Sequence, residues 1–439
     1  MIAPLGAKAA WEDEDDVQLR VSLTDRNRLR KLRQTEEETA VAGDEYQRRL
    51  RQQFQRVHPK PKWALTATER ASRGAGHDLD EDDSDAEMEV EEDASNALGL
   101  LQQSSRLLAK ASRRLATGRL EVERVKDANQ KAYSKMAVQS VEFHPNGQVL
   151  LAAGPDKTLR LFQVDGKHND KIQSVVFKDM PISRARFDHA GKRIVATGRR
   201  PFFYVFDVEA GQVSRVPQVR PSSASKMSPD RFEISPDDRF IAFIAKGGVI
   251  DLMSLETKRW VGDVRVNRGV ADIAWSGDGR HLYVLSTEAE VYRWDVDTLR
   301  CTHRFRDDGG FGPTALAVSA NDQYLAIGSN SGMVNVYDRT VNDSATPKPL
   351  KTLGQLTTPV LGLKFSSDAQ ILCTYSRGKK DQLRMIHLPS LTAFSNWPTP
   401  ATPLSYVHAV SFSPNTGYVA VGNDKGRVIL YRLKHYGRA

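Results

Sequence analysis

The side chains that could carry out chemistry are few and lie far apart in the sequence. There are 2 Cys, Cys301 and Cys373, and 10 His, with no Cys-x-x-Cys pair and no Cys/His cluster at the spacing of a zinc site. His281 and His387 lie beside apolar residues in predicted strands, and neither has a sequence neighbour that would complete a catalytic dyad. We interpret both as structural histidines and predict no catalytic residue, no metal site and no cofactor.

Motifs for nucleophilic or phosphate chemistry are also missing. The sequence contains no G-x-S-x-G, no G-x-x-x-x-G-K-[ST] and no H-E-x-x-H. Its Gly-rich stretches "GDGR" (residues 277–280) and "GSNSG" (residues 328–332) fall at predicted hairpin turns, where glycine serves turn geometry. The sequence therefore favours a binding protein over a hydrolase.

The charge is distributed unevenly along the 439 residues. Residues 1–118 carry 19 Lys and Arg against 23 Asp and Glu, whereas residues 119–439 carry 44 against 32, a net charge of +12. A basic folded part favours polyanions such as nucleic acid. The first residues lack the apolar core of a signal peptide and no 18-residue apolar run occurs, which predicts a soluble intracellular protein without a membrane partner.

Past residue 136 the sequence repeats one unit seven times. Each unit has a short apolar strand that ends at a turn-rich cluster, and a third strand that ends in a bulky residue, 19 positions later in six units and 21 in the sixth. The clusters begin at Phe143, Phe187, Ile234, Trp275, Val318, Phe365 and Phe412. The bulky residues are Phe162, Phe206, Met253, Trp294, Tyr337, Ile386 and Tyr431. Such a constant internal distance indicates a repeat architecture.

The period matches the blade of a WD-repeat β-propeller, about 40–45 residues with four strands. Trp294, Phe206 and Tyr337, each followed by Asp, occupy the Trp-Asp position. We therefore predict an all-β fold, a seven-bladed WD-repeat β-propeller over residues 119–439. The Gly-His dipeptide that usually opens a WD repeat is absent from all seven repeats, so we expect an incomplete buried His–Ser/Thr–Asp–Trp network and a greater dependence on apolar packing.

Closure of the ring requires a strand from elsewhere. After Tyr431 only eight residues follow, too few for the outer strand of the seventh blade. The segment "RLEVERVKD" (residues 119–127) alternates apolar and polar residues as a strand does. We expect it to supply the outer strand and to leave the last blade without an open edge.

Basic residues concentrate at hairpins between the second and third strands, whose tips share one face of a WD propeller. The predicted tips of blades six, seven, one and two are basic, and these four blades are neighbours in a closed ring. The tip of blade three carries Lys246 alone, that of blade four carries Glu288 and Glu290, and that of blade five carries no charge. The candidate RNA-contact residues are Lys157, Arg199, Arg200, Arg377, Lys379, Lys380, Lys425 and Arg427. Two interpretations remain open, a surface for phosphate backbones and hairpin tips that are basic for solubility.

Residues 1–118 are predicted to be a mostly disordered tail that carries two short helices. The acidic stretch at residues 78–93 contains 11 carboxylates in 16 positions and cannot form a core. Near residues 44–58 a helical stripe is backed by Arg48, Arg49, Arg51 and Arg56, and a second helix is expected near residues 98–115. The candidate partner-docking residues are Tyr46, Leu50, Phe54 and Val57, with Trp63 beyond the helix. The stripe could pack on its own propeller, fray, or dock on a partner, and docking is favoured because such a tail has no core of its own.

Several stretches together resemble one particular family of WD-repeat proteins. They are "LRKLR", "GDEYQRRLRQQFQRVHPKPKWA", "LEVERVKDAN", "LFQVDGKHNDKIQSV" and "VGNDKGRVILYRLKHY". They are similar to the eukaryotic family of WD-repeat protein eighteen of the U-three small-nucleolar-RNA-associated set, which belongs to the UTP-B subcomplex of the small-subunit processome. The resemblance implies a non-catalytic nucleolar scaffold in pre-rRNA processing toward 18S rRNA.

The resemblance also implies partners: other WD-repeat subunits of UTP-B, the 5′ external transcribed spacer of pre-rRNA and the U-three snoRNA particle. Some family members recruit an exosome-associated RNA helicase through a short Leu-Phe-containing motif in the tail. Residues 1–118 contain no Leu-Phe.

A second class of function is a WD-repeat substrate adaptor of a ubiquitin ligase. Adaptors of that class carry a Trp-Asp-x-Arg box. The nearest stretch, "YDRT" (residues 337–340), has its Arg one position too early. This alternative is therefore less favoured than the scaffold.

Overall fold

The computed structural model describes residues 19–23, 29–33, 38–57, 114–217, 231–344, 346–399 and 402–436. They belong to two compact units, one within Met1–Met88 and one within Glu89–Ala439. Trp63, and residues 98–113 of the second predicted helix, lie outside the described ranges.

The N-terminal unit has a helix built onto a small sheet. Strand β1 (Arg20–Ser22) pairs antiparallel with β2 (Ala40–Ala42), a 3-10 helix spans Leu29–Leu32, and helix α1 (Gly43–Val57) follows β2 directly. Leu23, Leu32 and Val41 are buried against one another, with Leu29 and Tyr46 packed on them. The expectation that the stripe has no core of its own was wrong, because residues 23–41 supply three apolar side chains too far apart to form a sequence period.

Arg49 also departs from the expected solvent-facing side of α1. Its guanidinium is buried and donates to the carbonyl of Leu32 at 3.0 Å, to both carboxylate oxygens of Glu38 at 2.8 and 3.1 Å, and to Glu45 at 2.8 Å. A bidentate guanidinium–carboxylate pair is among the stronger charge-assisted contacts. Arg49 therefore ties the helix to the segment that precedes it.

The propeller unit consists of seven four-stranded antiparallel sheets, here called blades and numbered along the chain. The strands of each blade are given from the innermost to the outermost. Blade one is β4 (Ser140–Phe143), β5 (Val149–Ala153), β6 (Thr158–Gln163) and β7 (Lys171–Val176); blade two is β8 (Arg184–Phe187), β9 (Arg193–Thr197), β10 (Phe202–Asp207) and β11 (Gln212–Pro217). Blade three is β12 (Phe232–Ile234), β13 (Phe240–Ile244), β14 (Val249–Ser254) and β15 (Trp260–Arg265); blade four is β16 (Val270–Trp275), β17 (His281–Ser286), β18 (Glu290–Asp295) and β19 (Arg300–Arg306). Blade five is β20 (Pro313–Val318), β21 (Tyr324–Ser329), β22 (Val334–Asp338) and β23 (Lys351–Leu353); blade six is β24 (Gly362–Phe365), β25 (Ile371–Tyr375), β26 (Leu383–His387) and β27 (Thr392–Ala393). Blade seven is β28 (Val407–Phe412), β29 (Tyr418–Asn423), β30 (Val428–Leu433) and β3 (Val122–Arg124). A 3-10 turn follows β22 at Arg339–Asp343, and another follows β30 at Lys434–Tyr436. The predicted seven-bladed propeller is confirmed.

The outer strand of blade seven comes from the N-terminal side of the repeats. β3 pairs antiparallel with β30, with Val122 opposite Leu433 and Arg124 opposite Tyr431. Just before it, Leu115 and Leu120 are buried in the apolar cluster between blades six and seven. The segment before blade one therefore closes the ring through both hydrogen bonds and apolar packing.

The apolar core of the propeller is divided among the seven junctions between blades. Within the described residues, each large apolar cluster of this unit joins two neighbouring blades, so the sequence of clusters runs around the whole ring. Alternate side chains of a strand point to opposite faces of its sheet, and both faces of every blade are covered by a neighbour. This explains why the strands are apolar on both faces.

The turn clusters end the inner strands at a fixed backbone conformation. The fifth residue of every cluster has a positive φ, between 55° and 79°. These residues are Gly147, Gly191, Asp238, Gly279, Asp322, Ala369 and Thr416. Gly, Asn and Asp tolerate this region and other residues do so at a cost, so the hairpin imposes its geometry even on Ala369 and Thr416. The constant distance within the sequence repeats therefore corresponds to the spacing from this turn to the third strand.

Hydrogen bonding of the Trp-Asp position is incomplete, as expected. The indole Nε1 of Trp294 has no hydrogen-bond partner among the described residues. Blade five uses other groups, because the hydroxyl of Tyr337 donates to Asp307 Oδ1 at 2.6 Å and the amide of Asn335 donates to the same oxygen at 2.9 Å. Blades four and five thus differ in the hydrogen bonding of the Trp-Asp position.

Candidate nucleic-acid interface

The basic hairpins lie where the repeat pattern predicts them, between the second and third strands of their blades. The tips of blades one, two and seven have four residues each, whereas that of blade six has seven, between Tyr375 and Leu383. This longer hairpin accounts for the extra spacing in the sixth unit, and the additional residues include Lys379 and Lys380. The tip of the irregular repeat therefore carries the largest number of basic residues, Arg377, Lys379 and Lys380.

All eight candidate RNA-contact residues are exposed and lie on four consecutive blades. We call this set, with Lys157, Arg199, Arg200, Arg377, Lys379, Lys380, Lys425 and Arg427, the basic arc. Lys157 Nζ donates to the carbonyl of Lys178 at 3.0 Å. Exposed cations on neighbouring hairpins of one ring are suited to contact phosphates by charge and hydrogen bonding.

Three carboxylates on these tips have structural partners. Asp156 accepts from Arg160 at 2.6 Å. Asp381 accepts from the backbone N–H groups of Leu404 and Ser405 at 2.7 and 2.8 Å. Asp424 accepts from the backbone N–H of Tyr406, in the same loop as Leu404 and Ser405, at 3.2 Å. These acids hold loops in place, so they offset the positive charge of the arc only in part.

The inner strands carry a second set of charges around the ring axis. Glu233 accepts from Arg184 at 2.7 Å and also pairs with Arg186. Although burial opposes ionisation, the two guanidinium groups hold the pKa of Glu233 below its usual value. Lys364 faces this group from blade six, and burial together with the nearby Arg186 lowers its pKa to about 8. We call Arg184, Arg186, Glu233 and Lys364 the axial charge cluster.

Other inner-strand groups bind the neighbouring blade. Glu142 accepts from the backbone N–H of Phe187 at 2.7 Å, and Asp272 accepts from that of Leu316 at 3.0 Å. Burial raises the pKa of Asp272. These contacts connect successive inner strands and explain why charged side chains occur in the most central strands.

A cavity of about 550 Å³ opens beside the basic arc, over blades three to six. It is lined by Thr287, Thr314 and Ser376, by the apolar side chains of Pro313 and Val360, and by two arginines, Arg231 and Arg377. No nucleophile in this lining has a histidine or carboxylate base hydrogen-bonded to it in the described structure. The cavity shares Arg377 with the basic arc.

The residues first considered for chemistry have structural surroundings. His387 is buried and its ring nitrogens contact Ser390 Oγ at 2.8 Å and the carbonyl of Leu115 at 3.2 Å. Cys373 is buried, and burial raises the pKa of its thiol; Cys301 is exposed, and both are free thiols. In the part of the chain that the structure describes, no group of three His, Cys, Asp or Glu could hold a metal ion. No described helix is long and apolar enough to cross a membrane.

The docking candidates of α1 divide between two environments. Tyr46 packs on the core of the N-terminal unit, whereas Leu50 and Phe54 are 39% and 65% exposed. Val57 ends the helix. Tyr46 therefore contributes to that core, whereas Leu50 and Phe54 are exposed members of the docking stripe among the side chains that the structure describes.

Two tyrosines beside the arc were not found by sequence reasoning. Lys380 Nζ lies 6.0 Å from the ring centroid of Tyr406, and Arg427 Cζ lies 5.3 Å from that of Tyr133. Neither tyrosine belongs to a tip hairpin, and no local pattern marks them.

Fold and interface define a WD-repeat β-propeller protein with a basic face. A family model described as "WD domain, G-beta repeat" matches residues 129–163. The chain is 37% identical over its whole length to the U3 small nucleolar RNA-associated protein 18 homolog of Arabidopsis thaliana, covering 78% of that protein. It is 38% identical over 97% of its length to the probable U3 small nucleolar RNA-associated protein 18 of Schizosaccharomyces pombe, covering 80% of it. It is 32% identical to the Saccharomyces cerevisiae protein of that name, over 98% of the chain and 80% of the relative.

The chain therefore belongs to the family of U3 small nucleolar RNA-associated protein 18. The similarity extends through the N-terminal residues as well as the repeats, which a match to WD repeats alone would not produce. The fold and the family point to a non-catalytic protein.

Proposed function

We propose that the protein is a non-catalytic scaffold subunit of the small-subunit processome, within its UTP-B subcomplex, and acts in nucleolar pre-rRNA processing toward 18S rRNA. The single observation that carries this proposal is the full-length similarity to relatives whose names associate them with U3 small nucleolar RNA. A rigid ring with many exposed hairpins suits a scaffold, because separate parts of its rim can contact separate partners.

Affinity purification of the tagged protein tests this function directly. Other WD-repeat subunits of UTP-B, U3 snoRNA and the 5′ external transcribed spacer should be recovered with it from nucleoli. Depletion should cause precursors of 18S rRNA to accumulate on a northern blot. Recovery of cullin adaptors in place of processome proteins, or normal processing after depletion, would contradict the proposal.

The basic arc is the proposed contact for pre-rRNA. Its cations stand on rigid hairpins of four neighbouring blades, so an RNA strand can follow them without a large reordering of side chains. Each phosphate that a cation neutralises releases counterions, which makes the affinity depend on salt. The interaction is independent of sequence at this level and positions the RNA on the ring.

Charge reversal should weaken RNA binding strongly. We expect the variant with Arg199, Arg200, Lys379 and Lys380 all changed to Glu to lose most RNA crosslinking in cells. In vitro, the slope of log affinity against log salt should fall by about 3, since each lost phosphate contact removes about 0.7 for a single strand.

The matched control reverses four exposed basic residues that lie outside the tips. Lys171, Lys192, Arg280 and Arg300 change the net charge by the same amount. If this control lowers crosslinking as much as the arc variant does, total charge and not the arc is responsible.

Helix α1 is the proposed docking element for a partner subunit. Phe54 and Leu50 are exposed on a helix whose other side is fixed by its own core and by Arg49. Presenting an apolar pair on a preformed helix reduces the ordering cost of binding.

Changing Leu50 and Phe54 to Ala should release the protein from its complex while both folded units remain intact. The expected result is loss of UTP-B subunits in co-purification with unchanged propeller unfolding. Gln47→Ala with Gln53→Ala, at exposed positions of the same helix, provides the control. Co-purification at the wild-type level would remove α1 as the docking element.

A further inference from the structure

The tips of blades six and seven combine cations with aromatic rings. Lys380 stands beside Tyr406 and Arg427 beside Tyr133, at cation–ring distances of 6.0 and 5.3 Å. Tyr133 is 43% exposed and Tyr406 is partly exposed. Two positively charged side chains on adjacent blades therefore each have an accessible aromatic neighbour.

Tyr406 is fixed between the two tips by backbone hydrogen bonds. Its N–H donates to Asp424 Oδ1 at 3.2 Å, and its carbonyl accepts from the N–H of Asp424 at 3.1 Å. The preceding Ser405 is bonded to Asp381 through both its N–H, at 2.8 Å, and its carbonyl, at 2.9 Å. The loop is thus fastened to blade six on one side and blade seven on the other, and its ring has a defined position.

Tyr133 is fixed in a similar way from the other side of the blade-seven tip. The N–H of Ser134 donates to the carbonyl of Gly426 at 3.1 Å, and the side-chain amide of Asn129 donates to the same carbonyl at 2.7 Å. A Cβ at Gly426 would lie 1.9 Å from the carbonyl oxygen of Ser134, so only glycine permits this approach. The segment that carries Tyr133 is therefore packed directly on the hairpin that carries Arg427.

Interleaved cations and aromatic rings are the features with which proteins bind unpaired nucleic acid. Bases stack on the rings while the cations contact the phosphates, and this stacking requires base faces that are not already stacked on neighbouring base pairs in a duplex. An acidic peptide would use the cations but would gain little from the rings. The combination at blades six and seven therefore favours RNA over a peptide.

We propose that the basic arc binds single-stranded RNA at blades six and seven, with bases stacked on Tyr133 and Tyr406 and phosphates held by Lys380 and Arg427. This inference rests on the RNA contact proposed above and adds the strandedness of the RNA. Blades one and two, which carry Lys157, Arg199 and Arg200, hold the strand through phosphate contacts. The pre-rRNA segment in contact with blade seven is then an unpaired one.

Fluorescence anisotropy with the purified full-length chain tests the proposal. The probes are a labelled 12-nucleotide oligoadenylate and a 12-base-pair RNA duplex. The single strand should bind roughly 10-fold more tightly than the duplex, and the variant Tyr133→Leu with Tyr406→Leu should weaken single-strand binding by about 100-fold or more, since each of the two stacked bases contributes roughly 10-fold or more. The salt slope should not change, because no cation is removed.

Two further variants separate stacking from folding. Tyr133→Phe with Tyr406→Phe keeps both rings and should keep the wild-type affinity. Tyr133→Leu alone changes an exposed side chain, so its effect does not depend on the core. Phe311, which is 80% exposed in the loop before blade five, is the control aromatic, and Phe311→Leu should bind normally.

The outcomes distinguish this inference from the proposed RNA contact itself. If the double Leu variant binds the single strand like the wild type, or if the duplex binds as tightly as the single strand, the stacking proposal is overturned while the arc remains an RNA contact. If an oligoglutamate of equal charge displaces the RNA with equal affinity, the surface is an acidic-peptide site. If the wild type binds neither RNA, both proposals fail.

Discussion

A chain that begins at residue 128 should fail to form a stable propeller, whereas a chain that begins at residue 114 should fold. The shorter chain lacks β3, and with it the buried Leu120 and Leu115 of the cluster between blades six and seven. Burial of each such leucine contributes about 2–5 kcal/mol by comparison with Leu→Ala substitutions in cores. Their joint loss is comparable to the whole stability of a typical domain.

The loss also exposes the edge of β30. Its backbone now pairs with Val122 and Arg124, and without them the ring ends in an open strand that can pair with another chain. We expect the shorter chain to aggregate or to be degraded rapidly by protease, as measured by solubility and by limited proteolysis. Leu120→Ala in the longer chain should lower the midpoint of thermal unfolding without aggregation. A soluble, cooperatively unfolding chain from residue 128 would show that the ring closes without this strand.

Glu233→Gln should destabilise the propeller by about 3 kcal/mol, because it leaves two arginines near the axis without their carboxylate. Arg184 and Arg186 both pair with Glu233, and the side chains are 25%, 17% and 14% exposed respectively. Lys364 adds a further positive charge to the same group. In the Glu233→Gln variant, three positive charges therefore lie close together in a partly buried environment without a negative partner. Chemical denaturation of the wild type and the variant measures the difference.

Acid should remove this difference. The folded-state pKa of Glu233 is held below its usual value of 4.5, so its contribution is fully present above pH 4.5 and disappears as the pH falls through the folded pKa. The control is Glu288→Gln, whose partner Arg268 and own side chain are 73% and 48% exposed, and which should cost less than about 1 kcal/mol. Equal effects of the two variants at neutral pH would mean that the axial charge cluster contributes no more than a surface pair.

The repeat architecture could be predicted from the sequence because each blade uses the same local geometry. The turn five residues into each cluster needs a positive φ, which selects glycine or aspartate at Gly147, Gly279 and Asp322. The third strand lies at a constant distance from that turn. The same spacing locates the hairpin between the second and third strands, as in blade two. The positions of its basic residues could therefore be predicted from the sequence.

Contacts between distant segments could not be predicted in the same way. Tyr406 reaches the arc through a loop between blades, and Tyr133 through a segment that is packed on a hairpin almost three hundred residues later. The small core around Leu23 and Val41 depends on two three-residue strands, too short to produce a pattern. Arg49 belongs to the polar side of α1 by sequence and is buried because that core covers it.

The pairing of β3 with β30 sets the time at which the ring can be completed during synthesis. The two strands are separated by about 300 residues, so at translation rates of about 5–20 residues per second β3 must wait roughly 15–60 s for its partner. Throughout that interval the nascent blades have unsealed edges that can pair with other chains. We therefore expect this chain to require a chaperone until its last blade leaves the ribosome.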